Sequence, residues 1–422
     1  MVFSQLDLAH QIDALFDQCI DLECDSVGDL HVVRGTLDAK SAVIVAFDFN
    51  RAGGSIGPSE ASQLHVAITT AEQMTLPLIM MLNTGGVRVP EGANSLGAFR
   101  FVFRELLDAK VRGLQVLSLV TQQCYGGGSM LAAISDVVLV NAQSQISMSG
   151  PRLIQALNQY VEGDDVTTDR VRLVLCGKSR AATSDRFQLV EDNIEGYRGG
   201  IKHLLSFSEN LGSSIKQSLL NLERRFAENG VIPSDRFTAK ASIHPSIDKS
   251  KFGYGNSWSG RASLFTLDTQ VGSATATYAL VTDFFADAES IYDLLKAIDA
   301  LPNSISNINI FIDCPSHSPS LSDETLLLSE YLATLALGVR LKHLSGVNVH
   351  VLVIGSSGGG IFAALSAAAS RMSMLSVGSV QVLPRAALSA MRRPDDKLIT
   401  TKHLLESGSI DDMLEDLSSV LS

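Results

Sequence analysis

Short, continuously apolar runs alternate with helical spacings along this chain, and several of the runs stop at glycines. SAVIVAFDF ends at RAGGSIG, PLIMMLN at TGG, and QVLSLVT at QQCYGGGS. Apolar runs of this kind, bounded by turn residues, read as buried strands. Between them, Ala61, Leu64, Ile68 and Ala71 recur at helical spacing and predict a helix over 59–74, with Ser59 as its N-cap. Leu96, Phe99, Val102, Phe103, Leu106 and Leu107 predict another over 95–112. An amphipathic helix is predicted over about 4–20, then strands HVVRGTL and SAVIVAFDF. SMLAAIS starts a helix, DVVLVN and SQISMS are strands, and GPR opens the next helix. Strand, glycine turn, helix is the rhythm of α/β layering.

The second half repeats this order. TYALVTDFF resembles SAVIVAFDF, NINIFIDCP resembles LPLIMMLNT, and NVHVLVIGSSGGGIFAALSAAA resembles QVLSLVTQQCYGGGSMLAAIS. Asp48, Asn83 and Gly126 correspond to Asp283, Asp313 and Gly358, each displaced by about 230–235 residues. A coherent offset is what tandem duplication leaves behind. The predicted domains are 1–235 and 236–422, joined through a helical and polar segment from about Lys202 to Asp248.

Composition narrows the function classes. A chain of 422 residues exceeds what one core usually serves. A net charge of −12 argues against a nucleic-acid binder, which needs a gathered basic face. The five cysteines (Cys19, Cys24, Cys124, Cys176, Cys314) are scattered and spell neither a disulfide framework nor a zinc ribbon. The N-terminus mixes acids into its apolar positions, unlike a signal peptide. The most apolar stretch, Val347 to Leu375, is interrupted by His350, SSGGG and Arg371, so no bilayer span is expected. Together these predict a cytoplasmic protein without nucleic-acid or membrane partners.

Three glycine turns are the chemical candidates. In CYGGGS, Gly126, Gly127 and Gly128 let the chain enter a helix while aiming amides into open space, where the helix terminus adds positive potential. A carbonyl oxygen gaining negative charge suits such a site, as does a phosphate, and close helix–strand packing is the bland alternative. In TGGVRVPE, Gly85 and Gly86 offer amides, while Arg88 and Glu91 are spaced to pair as a solvated surface couple. RAGGSIG, with Gly54 and Ser55, lacks the lysine of a P-loop and the spacing of a dinucleotide fingerprint. His317 follows Cys314 at a metal-compatible spacing, but no second pair accompanies it, so no metal is expected. Ser149, before Gly150 and Pro151, reads as a helix cap, and Arg152 as a contact for a carrier or phosphate or as a solvated side chain.

The ordered set DFNRAGGSIG, LPLIMMLNTGGVRVPE, VRGLQVLSLVTQQCYGGG and ISMSGPRLI resembles the carboxyltransferase branch of the crotonase superfamily. Within that branch it is most similar to the beta subunit of biotin-independent malonate decarboxylase, in which a Cys and an aromatic precede the glycines as Cys124 and Tyr125 do. The second half, with IDCPS and VLVIGSSGGGIFAALSAAA, is similar to that enzyme's gamma subunit. NSWSGRAS, with Trp258, Gly260 and Arg261, resembles the gamma-type entry segment, with plain packing as the equal alternative. Departures are concentrated in the second half. Ser356 stands where relatives usually have Lys, and SHSPSLSDE replaces an aromatic, Gly- and Arg-rich stretch.

The resemblance implies an α/β fold of two tandem crotonase-like domains, each a spiral of ββα units as in ClpP and crotonase, with a malonyl thioester between them. It implies oxyanion amides from Gly126, Gly127 and Gly128, and a matching set at Gly359, Gly360 and Ile361, where biotin-dependent relatives hold biotin. Gly54, Ser55, Gly85, Gly86, Arg88, Cys124, Tyr125 and Ser129 are the implied substrate-binding positions. Tyr125, Ser129 and Cys124 lie near enough in sequence to be considered for protonating the product. No tightly bound cofactor is implied. The acyl group would ride on CoA or on the phosphopantetheine-type arm of an acyl carrier protein, and the chain would work as a homo-oligomer or within a multi-subunit complex. The expected reaction is biotin-independent decarboxylation to an acetyl-type thioester and CO2. The alternatives are biotin-dependent acyl-CoA carboxyl transfer, or a non-catalytic scaffold.

Overall fold

The computed structural model describes residues 2–22, 28–163, 166–206, 214–230, 263–266, 274–282, 285–384, 387, 399–417 and 420. The first half carries strands β1 (Gln18–Asp21), β2 (Leu30–Leu37), β3 (Lys40–Phe47), β4 (Leu78–Met81), β5 (Val116–Val120), β6 (Gln123–Tyr125), β7 (Val137–Val140), β8 (Gln145–Ser147) and β9 (Phe187–Leu189). Its main sheet runs β1-β2-β3-β4-β5-β7-β9, antiparallel up to β3 and parallel from there on. β6 and β8 pair separately, also in parallel. β4, β5 and β7 are buried at every position, as parallel strands covered by helices on both faces must be.

The second half repeats the plan with β10 (Ser263–Thr266), β11 (Thr275–Val281), β12 (Asn307–Cys314), β13 (Asn348–Gly358), β14 (Arg371–Leu375), β15 (Ser379–Gln381) and β16 (Asp412–Leu414). Its sheet runs β10-β11-β12-β13-β14-β16, with β15 on the far end of β13. Small features repeat too. The bridge Ile56 to Val87 has its counterpart in Ala286 to His317, and Thr84 to Cys124 in the pairing of Cys314 with Ser357. The chain is thus two tandem α/β halves built on one repeated plan. The sequence boundary expected at 235/236 and the segment around Trp258 lie outside the described residues.

Several local expectations change. The opening helix is shorter, Leu8–Leu15, and is followed by the exposed edge strand β1. The helix over Pro58–Met74 begins at Gly57, not Ser59. Glu60 closes its end by accepting the Gly57 N–H at 2.9 Å, and Pro58 sits in the first turn, where its missing N–H costs nothing. The long helical pattern after Lys202 divides between Ile194–Ser206 and Ile215–Glu228.

The two halves share one core. Phe99, Phe103 and Met130 from the first belong to the same buried apolar cluster as Leu332, Ala336 and Ile361 from the second. Where the helix Ala93–Val111 meets the second half, Gly97 lies so close to Ser407 that any Cβ would overlap the Ser407 carbonyl. Beside it, Arg100 donates to Asp411 through two bonds of 2.9 and 2.7 Å and to the Ser366 carbonyl at 3.1 Å. Such bidentate geometry fixes orientation as well as distance.

One buried acid opposes this stability. Asp293, on the helix Ala288–Asp299, is only 8% exposed. Burial, with Glu289 and Asp287 adding repulsion against the pull of Lys296, pushes its carboxyl up to about 7. The folded chain therefore keeps a proton that the unfolded chain releases near about 3.9. Stability from this group is lost as pH rises between those values. Asp293→Asn is expected to raise the thermal midpoint more at pH 8 than at pH 5, by the equivalent of about 2 kcal/mol after allowance for solvent screening. Equal increments at both pH values would contradict this.

Candidate active site

The glycine turns meet at a cavity of about 1410 Å³ between the halves. Gly85, Tyr125, Gly126 and Gly127 line it from the first half, and His317, Gly359 and Ala363 from the second. Toward the helices that follow β8, Arg152, Arg172 and Lys178 add positive charge, tempered by Asp169.

Gly126 holds φ of 55°, a left-handed conformation that glycine adopts without strain, and so turns the chain from β6 into the helix Gly127–Ile134. Its own N–H is spent on the Ser147 carbonyl at 3.1 Å. Gly127 is the first helical residue, so its amide has no carbonyl behind it in the helix. A Cβ there would approach Phe99 at 2.7 Å and Val87 at 3.1 Å, so the Gly127 Cα packs against apolar side chains. Gly128 is buried, and a Cβ on it would overlap the Thr84 methyl; it is a packing glycine absent from the cavity wall.

The remaining sequence candidates divide by location. Gly86, with φ of 95°, packs under the turn, where a Cβ would meet the Tyr125 carbonyl at 2.9 Å. Its N–H goes to Thr84 Oγ1 at 3.0 Å. Gly54 is buried against the Asn83 carbonyl. Arg88 is not a solvated partner of Glu91 alone. It donates to Ser55 Oγ at 3.0 Å and to the Ser55 carbonyl at 2.8 Å, and pairs with Glu60 at 2.9 Å and Glu91 at 3.2 Å. Burial works against its charge, but Glu60 and Glu91 outweigh it and hold the guanidinium above its ordinary pKa. Arg88 therefore clamps the RAGGSIG turn to the TGG turn.

Cys124 is fully buried, which raises its thiol far above the usual range. Ser129 is buried, with its hydroxyl donated to the Gly126 carbonyl at 2.7 Å. Neither lines the cavity. Tyr125 does, with its phenol pushed up to about 12 by burial.

The second half follows the same local geometry with a different neighbour. Gly359, with φ of 54°, takes the turn conformation that Gly126 has in the first half, which makes Gly360 the counterpart of Gly127. The Gly360 N–H, expected from the resemblance as an oxyanion donor, is already bound: it donates to His317 Nδ1 at 2.8 Å. Ile361 is fully buried and absent from the cavity wall. His317 is the residue that sequence reasoning undervalued. It is 4% exposed, and burial pushes its imidazole down to about 4. Cys314 turns elsewhere, its thiol donating to the Ser316 carbonyl at 3.1 Å.

Ser149 is fully buried behind the cavity wall, between Met148 and Gly150, which line it. Its N–H donates to Glu324 Oε1 at 2.7 Å, and its Oγ lies 3.3 Å from His317 Nε2. Beneath it Arg180, fully buried, donates through Nε to the Ile146 carbonyl at 2.9 Å and through Nη1 to the Glu324 carbonyl. Its charge faces the Glu324 carboxylate at 3.6 Å. Burial pushes Glu324 up to about 7, against the pull of Arg180, and desolvation lowers Arg180 to about 10.

Two α/β halves thus bring their glycine turns to one shared cleft. Residues 10–210 match the carboxyl transferase domain. The chain is 29% identical over 183 residues to the propionyl-CoA carboxylase beta chain of Saccharopolyspora erythraea, covering 43% of this chain and 32% of that one. It is 30% identical over 140 residues to the acetyl-coenzyme A carboxylase carboxyl transferase subunits beta/alpha of the same organism, covering 33% of this chain and 25% of that one. The match thus spans about a third or less of these relatives' lengths. A Pseudomonas malonate decarboxylase hetero-dimer aligns at 24% identity over 54% of this chain and 96% of that one, with a TM-score of 0.44. Among the described residues, no helix is long and apolar enough to cross a membrane.

Proposed function

We propose that this chain decarboxylates a malonyl-type thioester, carried on CoA or on an acyl carrier protein, to the acetyl-type thioester and CO2 without biotin. The observation that carries this reading is the Gly127 amide, set at a helix N-terminus in the wall of the cleft. Breaking the bond to the carboxylate leaves its electron pair on the thioester as an enolate, which takes a proton from water to become the acetyl thioester, so the chemistry needs a donor where the oxygen gains charge. One such donor is worth about 3–4 kcal/mol. Arg152, Arg172 and Lys178 give the mouth of the cleft the charge that a phosphate-bearing thiol arm requires.

Biotin-dependent carboxyl transfer is the second reading, favoured by the names of the curated relatives. Against it, the second half has one amide fewer to offer, because Gly360 donates to His317. Incubation of the protein alone with malonyl-CoA, and separately with malonyl-loaded carrier protein, should yield the acetyl thioester from at least one of them. Unchanged substrate in both mixtures would overturn the proposal.

A further inference from the structure

We propose that His317 is a catalytic residue whose Nε2–H is the hydrogen-bond donor that the second half presents to the substrate's acyl oxygen. The inference rests on the decarboxylase reading above and deepens it. A backbone N–H can only donate, so the bond from Gly360 to Nδ1 makes that ring nitrogen an acceptor. Ser316 Oγ, 3.1 Å from the same nitrogen, is placed to donate to it as well. The neutral ring therefore carries its proton on Nε2.

That proton is poorly used by the protein. Among the described residues its hydrogen-bond partner is Ser149 Oγ at 3.3 Å, long for a hydrogen bond, and His317 forms part of the cavity wall. A polar group so deeply buried is normally well satisfied. An incoming acyl oxygen can take the proton's hydrogen bond from Ser149 at little cost.

The internal duplication shows what changed. In the first half the bridge position opposite Ile56 is Val87, which packs against Gly127 and has no acceptor to offer its amide. In the second half the same position is His317, which binds the amide of Gly360. The imidazole extends the Gly360 donor by one ring, so that the hydrogen on offer is Nε2–H. A neutral imidazole fixed at a helix N-terminus is a known way to polarise a carbonyl without transferring a proton. Burial keeps it neutral, and the ionisable groups behind Ser149, Glu324 and Arg180, pair with each other.

The test combines kinetics with a wild-type measurement. His317→Ala should lower kcat for malonyl-CoA about 100-fold with KM changed less than about threefold, and His317→Gln, whose amide can donate, should recover about tenfold. In protein labelled with 15N-histidine, His317 should show the Nε2–H tautomer, and its Nε2 resonance should shift on adding acetyl-CoA. An active wild type with His317→Ala equally active overturns the inference and leaves the decarboxylase reading standing. An inert wild type removes that reading, and the titration then decides alone. If the variants fail to fold, an Nε2 resonance that acetyl-CoA does not move is sufficient to overturn it.

Discussion

Replacing Gly127 by proline should reduce turnover of a malonyl thioester by about 100- to 1000-fold, whereas alanine at the same position should cost far less. Proline removes the N–H and is accepted at the first position of a helix. Both substitutions add the same Cβ, which meets Phe99 at 2.7 Å and Val87 at 3.1 Å, so both lower stability as those side chains give way. Alanine keeps the amide. The ratio of the two rates therefore removes the cost of the shared Cβ and reports chiefly on the hydrogen. Matching melting temperatures with a large difference in kcat is the expected pattern. Equal rates for the two variants would remove Gly127 from the oxyanion assignment.

The second large effect is structural. Arg180→Met should destabilise the protein by about 3–5 kcal/mol, because it leaves Glu324 buried beside no cation and strips donors from the Ile146 and Glu324 carbonyls. Adding Glu324→Gln should restore part of the loss, since an ion pair removed from both sides leaves no stranded charge. The deficit of the single variant carries a pH signature. Burial already holds Glu324 near 7, and without Arg180 its carboxyl rises further. At pH 5 the acid is then neutral and the charge penalty vanishes, so the deficit should shrink on acidification and be greatest above pH 7. Denaturant melts of the wild type, the single and the double variant at the two pH values check this. A single-variant loss below about 1 kcal/mol would contradict it.

What the sequence revealed tracks what local physics controls. Leu96, Phe99, Val102, Phe103, Leu106 and Leu107 share a buried helix face, and the apolar runs ending at glycines are the buried parallel strands. The echo of the first half in the second was legible because duplication preserves spacing. β1 was not, because all four of its residues are exposed and carry no burial pattern. Ser59 looked like a cap because capping residues are read locally, while Glu60 reaches back to Gly57. The partners of Arg88 lie up to 33 residues away, on a turn that only the tertiary fold brings near. Most consequentially, the amides of Gly127 and Gly360 look alike in sequence and differ in space, because a valine sits beside one and a histidine beside the other. The departure at SHSPSLSDE marked the place, but not the bond it makes.

In the proposed reaction the cleft stabilises an enolate formed by losing CO2, with no carboxyl carrier. The most direct measurement follows malonyl-CoA carrying a labelled free carboxyl group, with the purified protein and added biotin, in parallel mixtures with and without avidin. Label released as CO2, with an equal amount of acetyl-CoA formed and no effect of avidin, is the result expected. Label recovered on biotin, or turnover abolished by avidin, would contradict the account.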